Sequence, residues 1–250
     1  MRSSVLTPLP LCSPGGVPWT PGSVMRDTPY ALCCIEETAS TQDEAFARYA
    51  GSPLLVVAAR QTAGRGRLGR AWEQADRALA ATLAFRPAWP EAAWPRLTLV
   101  AGLAARSALG PGVLLEWPND LVKGDRKVGG LLTEAREGVV AVGLGANLWW
   151  PRPPLDEAAA LYEEDPGDPA PGRLAAAWAR DLLRRAAAGP EEWGGEEYAA
   201  ACATVGREVT WEPQGRGRAV GIAPDGGLEV ETAAGRRVLY AGEVHSVRPF

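Results

Sequence analysis

Lysine is almost missing from this 250-residue chain: of its 26 basic residues only Lys123 and Lys127 are lysine, the rest being arginine. Asparagine is as scarce, with Asn119 and Asn147 alone, and the single histidine is His245. The four cysteines, Cys12, Cys33, Cys34 and Cys202, form no C-x-x-C pair and no set with histidine. A zinc site and a disulfide framework are therefore not expected. No apolar run reaches the ~18 residues of a membrane-spanning helix, so no membrane partner is expected. A net charge of −4 supplies no global basic field, which argues against wholesale coating of nucleic acid while leaving room for a local basic loop. Residues 1–29 hold six prolines and no clear apolar core of a signal peptide, and read as a flexible extension with Met25 as an alternative start. The cytoplasm is the default location.

What is present gains meaning from those shortages. A coding bias against AT-rich codons would deplete lysine and asparagine generally, and the survivors would then scatter. Instead both lysines and one asparagine fall within Glu116-Trp117-Pro118-Asn119-Asp120-Leu121-Val122-Lys123-Gly124-Asp125-Arg126-Lys127-Val128-Gly129-Gly130. The other asparagine lies in Gly143-Leu144-Gly145-Ala146-Asn147. Such clustering points to chemistry that arginine, a wide planar fork, cannot supply in place of a compact ammonium.

Residues 64–70, G-R-G-R-L-G-R, satisfy the G-x-G-x-x-G spacing of a dinucleotide-binding turn. The strand before it fits, since Leu54 to Ala59 is an apolar run bounded by Gly51-Ser52-Pro53. The exit does not. The acidic residue that should hold a ribose ~20 residues on falls in Ala88-Trp89-Pro90-Glu91, where prolines oppose a strand end. Pyrophosphate on a helix N-terminus also needs no cluster of Arg65, Arg67 and Arg70. A loop that brings a carboxylate together with a triphosphate does need one. With Leu68 as its one apolar residue, the loop has little to order it until ligand arrives.

Taken in order, Glu37-Thr38-Ala39-Ser40-Thr41-Gln42, Gln61-Thr62-Ala63-Gly64-Arg65-Gly66-Arg67-Leu68-Gly69-Arg70, Trp117-Pro118-Asn119-Asp120, Arg126 to Glu134 and Gly143 to Asn147 resemble the biotin protein ligases over residues 36–250. The resemblance implies an enzyme that joins biotin to AMP at the expense of ATP, with Mg²⁺, and transfers biotin to a lysine. The acceptor would be the biotin carboxyl carrier protein of acetyl-CoA carboxylase or of a related carboxylase. It implies that Lys127 and Arg67 are catalytic, Lys127 as a point charge between the biotin carboxylate and the α-phosphate. It implies that Ser40, Thr41, Gln61, Gly64, Arg65, Gly66, Arg67, Lys127 and Gly130 bind biotin. ATP would be held by Arg65, Arg67, Arg70, Trp117, Asn119, Asp120 and Asn147, with Asp120 also facing Mg²⁺ and Asn147 reading the adenine edge. Read singly, Ser40 and Thr41 suit a helix N-cap, Lys127 a surface turn, and Trp117 core packing. Two positions depart from the family pattern: Glu116 stands where a basic, phosphate-contacting residue is usual, and, more mildly, Gln42 stands where asparagine is usual.

The fold class that follows is α+β, a mixed sheet with helices resembling the catalytic domain of class II synthetases, followed by a small SH3-like β-barrel. Helical spacing runs over 92–109 and 172–188, and Lys123-Gly124-Asp125 is the turn of a hairpin entering a strand over 128–134. Short strands are expected over 208–211, 217–222, 227–231, 237–240 and 244–247. The expected divisions are the extension 1–29, a catalytic domain 30–203 and a C-terminal domain 204–250. Because residues 1–29 hold no amphipathic helix pair, a ligase without operator-DNA binding is expected, and the resemblance allows a homodimer. Two rivals are a lipoate ligase or octanoyl transferase on the same fold, and an RNA-binding module using the basic loop and small barrel.

Overall fold

The computed structural model describes residues 28–153, 155–212, 214–240 and 247–249. His245, Cys12 and most of the N-terminal extension lie outside them. A seven-stranded sheet comprises β1 (Ala31–Thr38), β2 (Leu54–Gln61), β3 (Arg77–Phe85), β4 (Leu114–Glu116), β5 (Asp120–Lys123), β6 (Arg126–Arg136) and β7 (Val139–Trp149), in the order β1-β2-β3-β7-β6-β5-β4. Only β1 and β2 pair in parallel, joined through helix α1 (Thr41–Arg48); every other neighbouring pair is antiparallel. The sheet is thus mixed, as the family resemblance implies.

Both faces are covered, which explains why β2 and β3 read as continuous apolar runs instead of alternating ones. On one face Ala45 of α1 packs with Val56, Ala84 and Ala141. On the other, Leu55, Leu83 and Val142 join the main core beneath α2 (Arg96–Leu109) and α3 (Pro169–Ala187). These two helices also meet through a polar contact, the Trp178 indole donating to the Ala101 carbonyl at 3.2 Å. Pro95 marks the N-terminal boundary of α2, so the stretch expected from 92 onward divides into a short 3₁₀ turn (Glu91–Ala93) and the helix proper. A short α4 (Gly195–Ala201) precedes the second sheet.

That second sheet is antiparallel, with β8 (Glu208–Trp211), β9 (Gly215–Ile222), β10 (Leu228–Thr232), β11 (Gly235–Leu239) and β12 (Val247–Pro249) in the order β11-β10-β9-β8-β12. Its strands match the expected ones except the last, expected at 244–247, most of which falls outside the described residues. Among the described residues β11 and β12 are free edges, so the expected barrel is an open sheet there. The two sheets are tied at Trp117, whose backbone N–H donates to Thr204 Oγ1 at 3.0 Å and whose indole donates to the Gly226 carbonyl at 3.0 Å.

Candidate active site

The N-terminus of α1, the Gly-Arg loop and the β4–β5–β6 hairpins border one cavity of about 350 Å³. Ser40, Thr41, Gln61, Arg65, Gly66, Arg67, Arg70, Trp117, Asn119, Asp120, Lys127 and Gly130 all line it. Of the residues given binding or catalytic roles from the sequence, only Gly64 and Asn147 stand behind its wall. Gly64 serves the loop's packing, since a Cβ there would lie 3.2 Å from both Gln61 Nε2 and Trp72 Cβ. Asn147 is 4% exposed; its amide donates to the Ala159 carbonyl at 3.2 Å and its Oδ1 is buried without a partner. Such an orphan acceptor costs stability unless something else satisfies it.

The Gly-Arg loop closes on itself as a narrow hairpin. Trp72 N–H donates to the Gly64 carbonyl at 2.9 Å, Arg65 and Ala71 form an antiparallel bridge, and Gly66 N–H donates to the Arg70 carbonyl at 2.8 Å. At its tip Leu68 takes φ 58°, a left-handed conformation that a branched residue rarely adopts, and it is 60% exposed. Two of the three arginines are anchored. Arg65 makes a forked pair with Asp43 of α1 at 2.7 and 3.0 Å, which holds the Asp43 carboxyl below its ordinary value. Arg67 donates to Asn119 Oδ1 at 3.1 Å. The loop therefore has polar anchors that its sequence did not disclose. Burial pushes the Arg67 guanidinium down from its ordinary value, with Asp120 opposing and Arg70 adding to that shift.

Across the cavity floor the ionic groups gather on β5 and β6. The two-residue turn at Gly124-Asp125, with Gly124 at φ 61°, produces the expected hairpin. It brings Lys127 Nζ to 2.7 Å from Asp120 Oδ2. Asn119 Nδ2 donates to Asp120 Oδ1 and to the Leu131 carbonyl, both at 3.1 Å, so its orientation is set. Lys123 does not join them: its ammonium donates to the Leu161 carbonyl at 2.9 Å, tying down the segment that follows β7. Glu116, opposite Asp120 in the β4–β5 register, also lines the cavity. Burial, then the Asp120 charge, pushes its carboxyl above the ordinary range, while Arg207 and Lys127 pull it down.

The opposite flank of β7 carries neutral polar groups. Gln61 Oε1 accepts from both the backbone N–H and the hydroxyl of Thr41, at 2.8 and 3.0 Å, and Thr82 Oγ1 lies 2.8 Å from Thr41 Oγ1. Ser40 occupies the N-cap position of α1 but makes no side-chain cap hydrogen bond. Gln42 is 4% exposed, with Nε2 bonded to the Leu132 and Ala141 carbonyls and Oε1 buried without a partner. Four lining residues escaped the sequence reading: Ala71 and Ala81, Trp72, hidden among ten tryptophans, and Thr82, whose one signal was a hydroxyl inside the apolar run Leu79 to Phe85. The glycines of Gly143-Leu144-Gly145 now have reasons, because a Cβ at Gly145 would lie 2.9 Å from Trp72 Cε2 and one at Gly143 would lie 3.3 Å from Gln42 Oε1.

Comparison with known proteins agrees with this geometry. Residues 31–147 match the biotin/lipoate A/B protein ligase family, and residues 204–245 match the biotin protein ligase C terminal domain. A biotin–acetyl-CoA-carboxylase ligase of Mycobacterium tuberculosis is 31% identical over 239 residues, covering 87% of this chain and 89% of that one. The chain belongs to the biotin protein ligase family. Within the family, an Aquifex aeolicus biotin protein ligase solved in complex with biotin and ATP superposes with a TM-score of 0.77 at 29% identity, over 88% of this chain and 99% of that one. A Leishmania major member solved with biotinyl-5-AMP gives a TM-score of 0.59 at 27% identity, over 84% of this chain and 98% of that one.

Proposed function

We propose that this chain activates biotin with ATP and transfers it to a lysine of a biotin carboxyl carrier domain. In the first step a biotin carboxylate oxygen attacks the α-phosphorus, forming biotinyl-5'-AMP, and pyrophosphate leaves. In the second, the lysine amine attacks the acyl carbon, loses a proton, and AMP departs. The observation that carries this reading is one cavity with two chemistries: neutral hydroxyl and amide groups over β2 and β3, and Arg67, Asn119, Asp120 and Lys127 over β5 and β6. A cyclic urea suits the first, having both N–H donors and a carbonyl acceptor. The second suits the meeting of two anions, which only positioned cations make affordable.

Within this reading Thr41 and Gln61 hold the ureido ring, with Ser40 beside them. Gly64 and Gly66 let the loop approach, and Gly130 lets β6 pass close to the ligand, where a Cβ would stand 3.3 Å from Asp120 Oδ1. Lys127 bridges carboxylate and α-phosphate once released from Asp120. Arg65, Arg67 and Arg70 close over the mixed anhydride. The orphan Oδ1 of Asn147 is a free acceptor for the adenine amino group. Trp117 acts by holding the hairpin that carries Asn119 and Asp120. An oxygen donor set at Asp120 fits Mg²⁺ bound with nucleotide. No group of three His, Cys, Asp or Glu suited to a metal exists among the described residues, so phosphate oxygens and water would complete its shell.

The proposed divisions are a class II synthetase-like catalytic domain over 30–203 and an SH3-like domain over 204–250. The matched segments, 31–147 and 204–245, fall on either side of that boundary. Homodimerisation, a cytoplasmic location and an absence of duplex-DNA binding belong to the same reading. Light scattering, cell fractionation and a gel shift test them. The decisive experiment is pyrophosphate exchange with biotin against lipoate, followed by labelling of a carrier domain. Exchange with biotin and not lipoate supports the proposal; the reverse preference makes the chain a lipoate ligase, and no exchange with either removes the enzymatic reading.

A further inference from the structure

Thr82, on β3, is fully buried yet reaches the cavity, and its hydroxyl ends a three-residue hydrogen-bond chain whose direction is fixed by heavy-atom positions alone. The backbone N–H of Thr41 can only donate, so the Gln61 atom 2.8 Å from it is the carbonyl oxygen. That same oxygen lies 3.0 Å from Thr41 Oγ1 and cannot donate, so the Thr41 hydroxyl proton points to it. A hydroxyl has one proton. Thr82, 2.8 Å from Thr41 Oγ1, must therefore be the donor in its own bond. The protons run Thr82 to Thr41 to Gln61 without an alternative.

This polarity decides what Thr41 and Gln61 can offer a ligand. One Thr41 lone pair accepts from Thr82, leaving the other as the only side-chain function Thr41 can present, while the Gln61 Nε2 carries two protons. We infer that Thr82 is a positioning residue for biotin recognition: it orients and polarises Thr41 so that the hydroxyl accepts a ureido N–H, while Gln61 donates to the ureido carbonyl. The inference rests on the reading that this cavity takes biotin. A donor feeding a hydroxyl strengthens that hydroxyl as a participant in the next bond, and a chain pinned at both ends loses less rotamer freedom when ligand binds. Purely structural packing predicts something different, because valine fills the same volume on a strand.

The test is a graded series at position 82 read on separate constants. Thr82→Val removes the donor, Thr82→Cys leaves a weak one, and Thr82→Ser restores it. The Kd and KM for biotin should rise about five- to tenfold in the valine variant, the loss of one modest hydrogen bond. They should rise less in the cysteine variant and stay within about twofold in the serine variant. KM for ATP and kcat should stay within about twofold throughout, since those groups sit across β7. In parallel, a biotin methylated on a ureido nitrogen should lose more affinity for wild type than for Thr82→Val. If Thr82→Val proves unstable, the cysteine–serine difference carries the test. Biotin constants that do not change along the series, with Thr41→Val strongly impaired, would overturn the role of Thr82 and leave the biotin site standing. A wild-type protein that binds no biotin would remove both.

Discussion

Lys127 and Asp120 form the one close ion pair inside the cavity among the described residues, Nζ to Oδ2 at 2.7 Å, although the two face each other from neighbouring strands and both are partly open to solvent. A pair this accessible contributes little to stability. Its value is positional: the carboxylate holds a compact ammonium where two oxyanions are proposed to meet, and Asn119 holds the carboxylate.

Lys127→Arg tests whether compactness matters. A solvated or purely electrostatic role makes the substitution silent, since the chain uses arginine at every other basic position except Lys123. The guanidinium fork cannot sit as a point donor between carboxylate and phosphate without displacing one, and misplacement by about 1 Å costs on the order of a hundredfold. The variant should fold normally and lose at least about tenfold in biotin-dependent pyrophosphate exchange. Exchange at the wild-type rate would refute the bridging role.

Arg67→Gly separates formation of the adenylate from its retention. It removes the bond to Asn119 and one cation from over the cavity, while Lys127 and its pair with Asp120 remain. Pyrophosphate exchange should fall only partly, and biotinyl-AMP should escape, seen as labelling of bystander lysines in a mixture with an unrelated protein. Labelling as selective as that of wild type would take the retaining role from Arg67.

Glu116→Gln should make stability less sensitive to pH. Burial, then the neighbouring Asp120, raises the folded-state value of this carboxyl, so its neutral form is favoured by folding. The sign follows: its contribution is fully present below the unfolded carboxylate pKa of about 4.3 and is lost as pH rises through the raised folded value. Melting temperatures of wild type and variant should therefore coincide near about pH 4 and diverge toward neutrality, with the glutamine variant the more stable. A constant difference at all pH values would contradict the cause assigned to the shift.

Gly145→Ala probes Trp72. The added Cβ would lie 2.9 Å from the indole, whereas one at Gly112 would meet nothing within 4 Å. Displacement of the ring should raise the ligand KM severalfold, with an overpacking cost of about 1–3 kcal/mol. Gly112→Ala should leave the ligand KM unchanged. Equal KM values for both variants would place Trp72 outside the functional wall.

The sequence alone determined the local devices of the site. Gly124-Asp125 dictates a tight hairpin, the hairpin puts Lys127 on the strand next to the one that carries Asp120, and three arginines among glycines form a cationic loop wherever that loop lies. Such features are legible because their partners are a few residues apart and backbone geometry leaves few choices. Tertiary structure decided how the polar groups are engaged. Arg65 meets Asp43 across 22 positions, Arg67 meets Asn119 across 52, Thr82 meets Thr41 across 41, and Trp117 reaches Gly226 across 109. A side chain's spacing in sequence carries no record of which distant strand will bury it, and hydrogen-bond direction is set only when donor and acceptor are brought within about 3 Å. For that reason the motif residues were visible from the start, while the hydroxyl on β3 that orients one of them emerged only with the packed sheet.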